Sequence, residues 1–175
     1  MKSFILGLLA ALVFVPATLV GYFLLGLAPI QSDAKPSAAE SWIMRFAVRS
    51  SVRHHATELR SRPAVNEQTV IAGGKLYVQG CAGCHGELGK PFHEDQANFP
   101  PVPQFTTEET RYSEAEVAWI IKHGIRMTAM SAYGRFYTAK QLADLAAFVK
   151  VCNHLPSTTV DQILAKDSHS SPPAP

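Results

Sequence analysis

The sequence predicts an all-α protein, a single transmembrane helix followed by a small helical domain. Three observations carry this. An uncharged, mostly apolar run extends from Phe4 to Ile30. Helix-start signatures stand at Asn66-Glu67, at Ser113 with Glu116, and at Thr138, each ahead of apolar residues at helical spacing. No segment competes with the two-residue alternation of a strand.

The apolar run comes first, as residues 1–30. As a helix it would measure ~40 Å, longer than the ~30 Å hydrocarbon core of a bilayer. Pro16, Gly21 and Gly26 would weaken a soluble helix but are tolerated in a membrane span. Cleaved signal peptides have a shorter apolar region, so an uncleaved anchor is expected. A cut after Ala34, behind the small residues of Ser32-Asp33-Ala34, is the alternative.

Residues 31–65 read as a linker. Gln31 to Ala39 is polar and proline-containing, as a hinge would be. From Glu40 to about Leu59 the pattern is an amphipathic helix: Trp42, Ile43, Phe46 and Ala47 on one side, with Arg45, Arg49 and Arg53 stepping along another line. Such a helix beside a membrane span suits anionic headgroups. A helical spacer packed on the following domain or on a partner accounts for the same pattern.

Residues 66–155 are expected to fold as one domain with three helix-like stretches. The first runs from Asn66 through Ile71, Leu76 and Val78. The second follows the Ser113/Glu116 capping box with Val117, Trp119, Ile120 and Ile121. The third follows Thr138 with Leu142, Leu145, Ala146, Phe148 and Val149. About 90 residues make a marginal core, which a large apolar cofactor would relieve. Residues 156–175 turn polar and close on Ser-Ser-Pro-Pro-Ala-Pro, so a disordered tail is expected, with His169 solvated.

The chemistry sits at the end of the first stretch: Cys81-Ala82-Gly83-Cys84-His85. Cys-x-x-Cys-His is the attachment motif of c-type haem. Two thiols three residues apart on a helical turn face one side, where each can add across a haem vinyl group, and the next histidine projects at the iron. Cys-x-x-Cys alone also occurs in zinc and dithiol sites. There are three cysteines in all, so a disulfide framework and an all-cysteine zinc site are excluded, and His85 and His93 lie too close to the pair for a zinc finger. The third thiol, Cys152, is expected to be a small buried apolar group, with an intermolecular disulfide as its alternative.

With these residues in view, the domain resembles class I c-type cytochromes. Gly73, Tyr77 and Cys81 reproduce the four-residue steps by which that family's first helix crosses its last, and Leu145 and Phe148 match the apolar pair on the other side. The resemblance implies a domain of about three helices wrapped around one covalent haem c. The segment from His123-Gly124 to Tyr133-Gly134 is similar to the family's distal stretch, where a methionine lies just ahead of a turn ending in aromatic-glycine. That places the distal ligand at Met130, with Met127 and His123 as rivals, and Ser131 stands where the family often has proline. The family also implies a loop proline whose carbonyl accepts from the proximal histidine. Pro101, or else Pro100, is the candidate. Phe92, Phe99 and Phe105 are expected to line the pocket, and Trp119 and Tyr133 to pack on the haem or bond a propionate. Arg111, Arg126 and Lys122 are candidate propionate partners, with solvated surface charge the favoured reading of each.

The net charge of +2 gives no support for nucleic-acid binding, and no phosphate loop or hydrolytic constellation is present. Basic residues concentrate in 35–62, where Lys35, Arg45, Arg49, Arg53, Arg60 and Arg62 face only Glu40 and Glu58. No enzymatic activity and no small-molecule substrate are expected. The functional expectation is a carrier of single electrons between redox partner proteins, held at the bacterial cytoplasmic membrane with the haem domain facing the periplasm. Lys2 agrees with a cytoplasmic N-terminus, whereas the basic stretch beyond the span opposes the positive-inside rule. A fixed subunit of a respiratory oxidase or dehydrogenase is the first alternative. A haem sensor or peroxidase with a labile distal ligand is the second.

Overall fold

The computed structural model describes residues 2–31, 34–56, 66–90 and 101–165. Helices α1 (Lys2–Leu24), α2 (Ala38–His55), α3 (Glu67–Gly80), α4 (Ala82–His85), α5 (Glu114–His123), α6 (Ala139–Val151) and α7 (Ser157–Leu164) follow in order, and no strand occurs among the described residues. His93, Phe92, Phe99, Pro100, Arg60, Arg62 and His169 lie outside them.

Contacts divide the chain into a first unit ending at Lys35 and a second beginning at Pro36. In the first unit, α1 has a mean hydropathy of 2.4 and no buried residue. At 1.5 Å per residue it is ~35 Å long, enough to cross a bilayer. It stops short of the apolar run because Gly26 turns the chain with φ +68°.

In the second unit, α3 and α6 cross. A Cβ on Gly73 would overlap the Asp144 carbonyl oxygen and Phe148 Cβ, so the two backbones touch there as only glycine permits. One turn on, Tyr77 is fully buried with its ring 5.0 Å from Phe148, and Leu145 and Phe148 are fully buried opposite. The crossing foreseen from the sequence is therefore present residue by residue. Capping boxes start α3 (Asn66/Thr69), α5 (Ser113/Glu116) and α6 (Thr138/Gln141).

Two expectations change. Residues 157–164 are a helix and not tail: α7 buries Thr159 and Ile163, and Ile163 faces Gly74 of α3. The folded unit thus extends past 155, and only the final residues 166–175 of the expected tail lie outside the description. The 31–65 segment is also more than a linker. The C-terminal half of α2 packs on α5, burying Val52 and Ala56, while Trp42, Ile43 and Phe46 remain exposed. For that half of the helix, packing on the domain is the correct alternative.

Candidate haem-binding site

α3 delivers Cys81 to the end of the α3–α6 crossing, and α4 is a single turn made of the rest of the motif. The Cys84 and His85 amides both donate to the Cys81 carbonyl, at 3.1 and 2.9 Å, and the Gly86 amide donates to Ala82 at 3.0 Å. The Tyr77 hydroxyl donates to the Gly86 carbonyl at 2.8 Å, tying the end of the turn to the helix core. Burial, with the neighbouring Cys84 second, pushes the Cys81 thiol up to about 11. It is therefore a neutral thiol in the free protein. Among the described residues no three His, Cys, Asp or Glu side chains stand where they could hold a metal ion together.

His85 is held on three sides. Its ring stacks on Phe105 at 4.7 Å, and the Phe105 amide donates to the His85 carbonyl at 3.0 Å. Its Nδ1 lies 2.9 Å from the Pro103 carbonyl oxygen. A carbonyl only accepts, so the proton is on Nδ1 and the Nε2 lone pair is left for a ligand. Burial holds the imidazole below its usual range, against the opposing pull of that hydrogen bond, which keeps the ring neutral. The expectation for Pro101 is corrected here by two residues: Pro101 lines the cavity, but Pro103 supplies the carbonyl. Gln104 explains the register, since its buried side-chain amide donates to Cys84 O and Val102 O, both at 3.0 Å.

On the other side, the segment after α5 hooks back on the helix. Gly124 turns with φ +68°, and a Cβ there would run into the backbone from Met130 to Ala132. The Ile125 amide donates to Met130 O at 3.0 Å, and the Tyr133 and Gly134 amides donate to Ile121 O and Lys122 O, both at 3.0 Å. Those carbonyls are the unpaired acceptors at the end of the helix, so the loop completes α5 as it positions Met130. Met130 packs against the core and lines the cavity, while Met127 is 90 % exposed. His123 is exposed, with its ring 4.8 Å from Trp119.

Between these walls is a cavity of about 760 Å³, lined among others by Tyr77, Cys81, Cys84, His85, Phe105 and Met130. Pockets for sizeable organic ligands fall in the range of ~300–1,000 Å³. The donor set also fits a haem: two thiols, an imidazole with a free Nε2 and a thioether line one cavity whose walls are largely apolar. Tyr133 lines the cavity as expected, and its hydroxyl is 3.4 Å from Gly80 O. Trp119 does not. Its ring stacks on His55 at 5.7 Å, on the face of α5 turned to α2, so the expected haem contact is corrected. Of the arginine and lysine candidates only Arg111 lines the cavity, whereas Arg49 and Arg53 of α2 line it unforeseen. Cys152 is buried, its Sγ donates to Phe105 O at 3.0 Å, and burial pushes its thiol up to about 12. It braces the phenylalanine under His85, and it has neither the exposure nor the thiolate that an intermolecular disulfide requires.

A single-turn Cys-x-x-Cys-His motif at a helix crossing, sharing a largely apolar cavity with a methionine in an all-α fold, defines a cytochrome c domain. Residues 68–149 match the family described as cytochrome C oxidase, cbb3-type, subunit III, and over that range the chain is a cytochrome c domain. No curated protein and no solved structure gives a match. Membership of the cytochrome c family implies covalent haem c and electron transfer, usually by a carrier and not an enzyme.

Proposed function

We propose that this chain is a membrane-held monohaem cytochrome c that passes single electrons between respiratory partners on the periplasmic face of a bacterial cytoplasmic membrane. The observation that carries the reading is one cavity reached by Cys81, Cys84, His85 and Met130. In this reading Cys81 and Cys84 would hold the haem through thioether bonds, and His85 and Met130 would be its proximal and distal ligands. When bound, haem supplies a one-electron iron couple, and Met/His ligation raises its potential. The protein's own residues keep that couple a carrier. Pro103 fixes the imidazole, Phe105 shields it, and Met130 would hold the position that oxygen or peroxide would otherwise take. The test is a visible and near-infrared spectrum of the oxidised and reduced protein. Haem c bands with a sulfur-to-iron charge-transfer band are expected. A colourless protein overturns haem binding, and rapid carbon monoxide binding to the ferrous form moves the reading to a sensor or peroxidase.

The description of the matching family favours a second reading, a fixed subunit of a respiratory oxidase. Membrane extraction separates the two. With α1 retained as an anchor, the protein resists a high-salt wash and leaves the membrane in mild detergent. A small detergent complex marks the mobile carrier, co-migration with a large complex marks the subunit, and release by salt alone removes the anchor from both.

A further inference from the structure

The helix α2 lies upstream of the matched residues 68–149, yet its Arg49 and Arg53 line the cavity. Trp42, Phe46, Arg49 and Arg53 recur at helical steps along one stripe, beside the docked line of Val52 and Ala56. Docking that line on α5 turns Arg49 and Arg53 into the lining of the cavity. Arg45, one turn earlier, is off the cavity, and its Nε donates back to Ser41 O at 3.0 Å.

The two α2 arginines among the three that line the cavity are poorly matched within the protein. Arg53 lies 3.9 Å from Glu116, long for a charge-assisted contact, and that carboxylate already accepts from the Ser113 amide at 2.7 Å. Arg49 has no hydrogen bond or ion pair among the described residues. Of the other acids lining the cavity, Glu109 faces Lys150 at 3.6 Å, and Glu108 forms no ion pair with either arginine among the described residues. A planar guanidinium fork is suited to a carboxylate, and the porphyrin of haem carries two. We propose that Arg49 and Arg53 bind the carboxylates of the haem, making α2 a wall of the cofactor site that the cytochrome c domain alone lacks. The proposal rests on the haem reading above. Positive charge beside the iron disfavours its ferric form relative to the ferrous, so these arginines raise the potential, with water screening part of the effect because the Arg53 side chain is 68 % exposed.

The test is a spectroelectrochemical titration of the holoprotein with R49Q/R53Q, R49K/R53K and, as control, R45Q. The double glutamine variant is expected to shift the equilibrium about tenfold toward ferric iron, ~59 mV for one electron. The lysine pair recovers part of the shift and R45Q gives none. Val52→Asp undocks α2 while keeping both arginines, and it is expected to reproduce the drop. A midpoint in R49Q/R53Q equal to that of R45Q overturns the proposal, as does an unchanged midpoint in V52D. Failure of the haem reading looks different: the wild type itself then lacks haem c bands.

Discussion

Replacing Met130 by alanine is expected to abolish the sulfur-to-iron charge-transfer band and to shift the iron equilibrium toward the ferric form by tenfold or more, at least ~59 mV for one electron. The sign follows from the ligand. A thioether is soft and a weak donor, so it favours ferrous iron, and water or another hard ligand in its place favours ferric. The loop should outlast the substitution, because Ile125 N to Met130 O is a backbone bond and the Tyr133 and Gly134 amides still cap α5. The Met130→Ala protein therefore remains folded with an open sixth position, and its ferrous form should bind carbon monoxide rapidly where the wild type does not. Met127→Ala is the matched control. Met127 is 90 % exposed with φ +60°, so its loss should leave band and potential in place. A band that survives Met130→Ala sinks the assignment.

The parts of the site that were legible in the sequence are those set by local spacing. The cysteine pair and His85 share one turn, and the Ser113/Glu116 and Thr138 signatures start the helices where their caps are found. Gly73, Tyr77, Leu145 and Phe148 announced a crossing because helical periodicity puts each set on one face. The parts that were missed depend on contacts distant in sequence. Nothing local says which proline carbonyl meets His85; the register is set by Gln104, whose side chain reaches Cys84 O from twenty residues away. Trp119 stands on an amphipathic helix with a neighbour on each side, and the sequence alone does not say that its neighbour is His55 and not the cavity. The basic stripe of α2 has the same ambiguity. Arginines read as facing headgroups include two that line the cavity, since a moment gives a direction without naming what lies there. The helix α7 is short and polar at its start, and Ile163 packs on the bare backbone of Gly74, far earlier in the chain. A stretch whose apolar residue fits against a glycine of another helix reads as tail.

Gly73→Val should be the most damaging single change outside the haem ligands. Even a methyl at this position overlaps the Asp144 carbonyl oxygen and the root of the Phe148 side chain, neither of which is the free end of a flexible group. The helices must separate, and both sides of the crossing are fully buried, so the strain has no surface to escape to. Overpacking of this kind costs ~3 kcal/mol or more, which corresponds to a fall in Tm on the order of 10 °C. Far-UV circular dichroism of the holoprotein measures it, with Gly83→Ala as the comparison. Gly83 lies between the two cysteines and a Cβ there meets nothing within 4 Å, so its variant should melt with the wild type. The damage should also reach the chemistry. Gly73, Tyr77 and Cys81 lie on one line of α3, and the Tyr77 hydroxyl holds the end of the motif turn at Gly86. Moving α3 outward carries Cys81 with it and loosens that bond, so Gly73→Val should lose covalent haem during maturation as well as stability. A Gly73→Val protein that melts with the wild type and carries a full complement of haem would mean that the α3–α6 crossing does not position the motif.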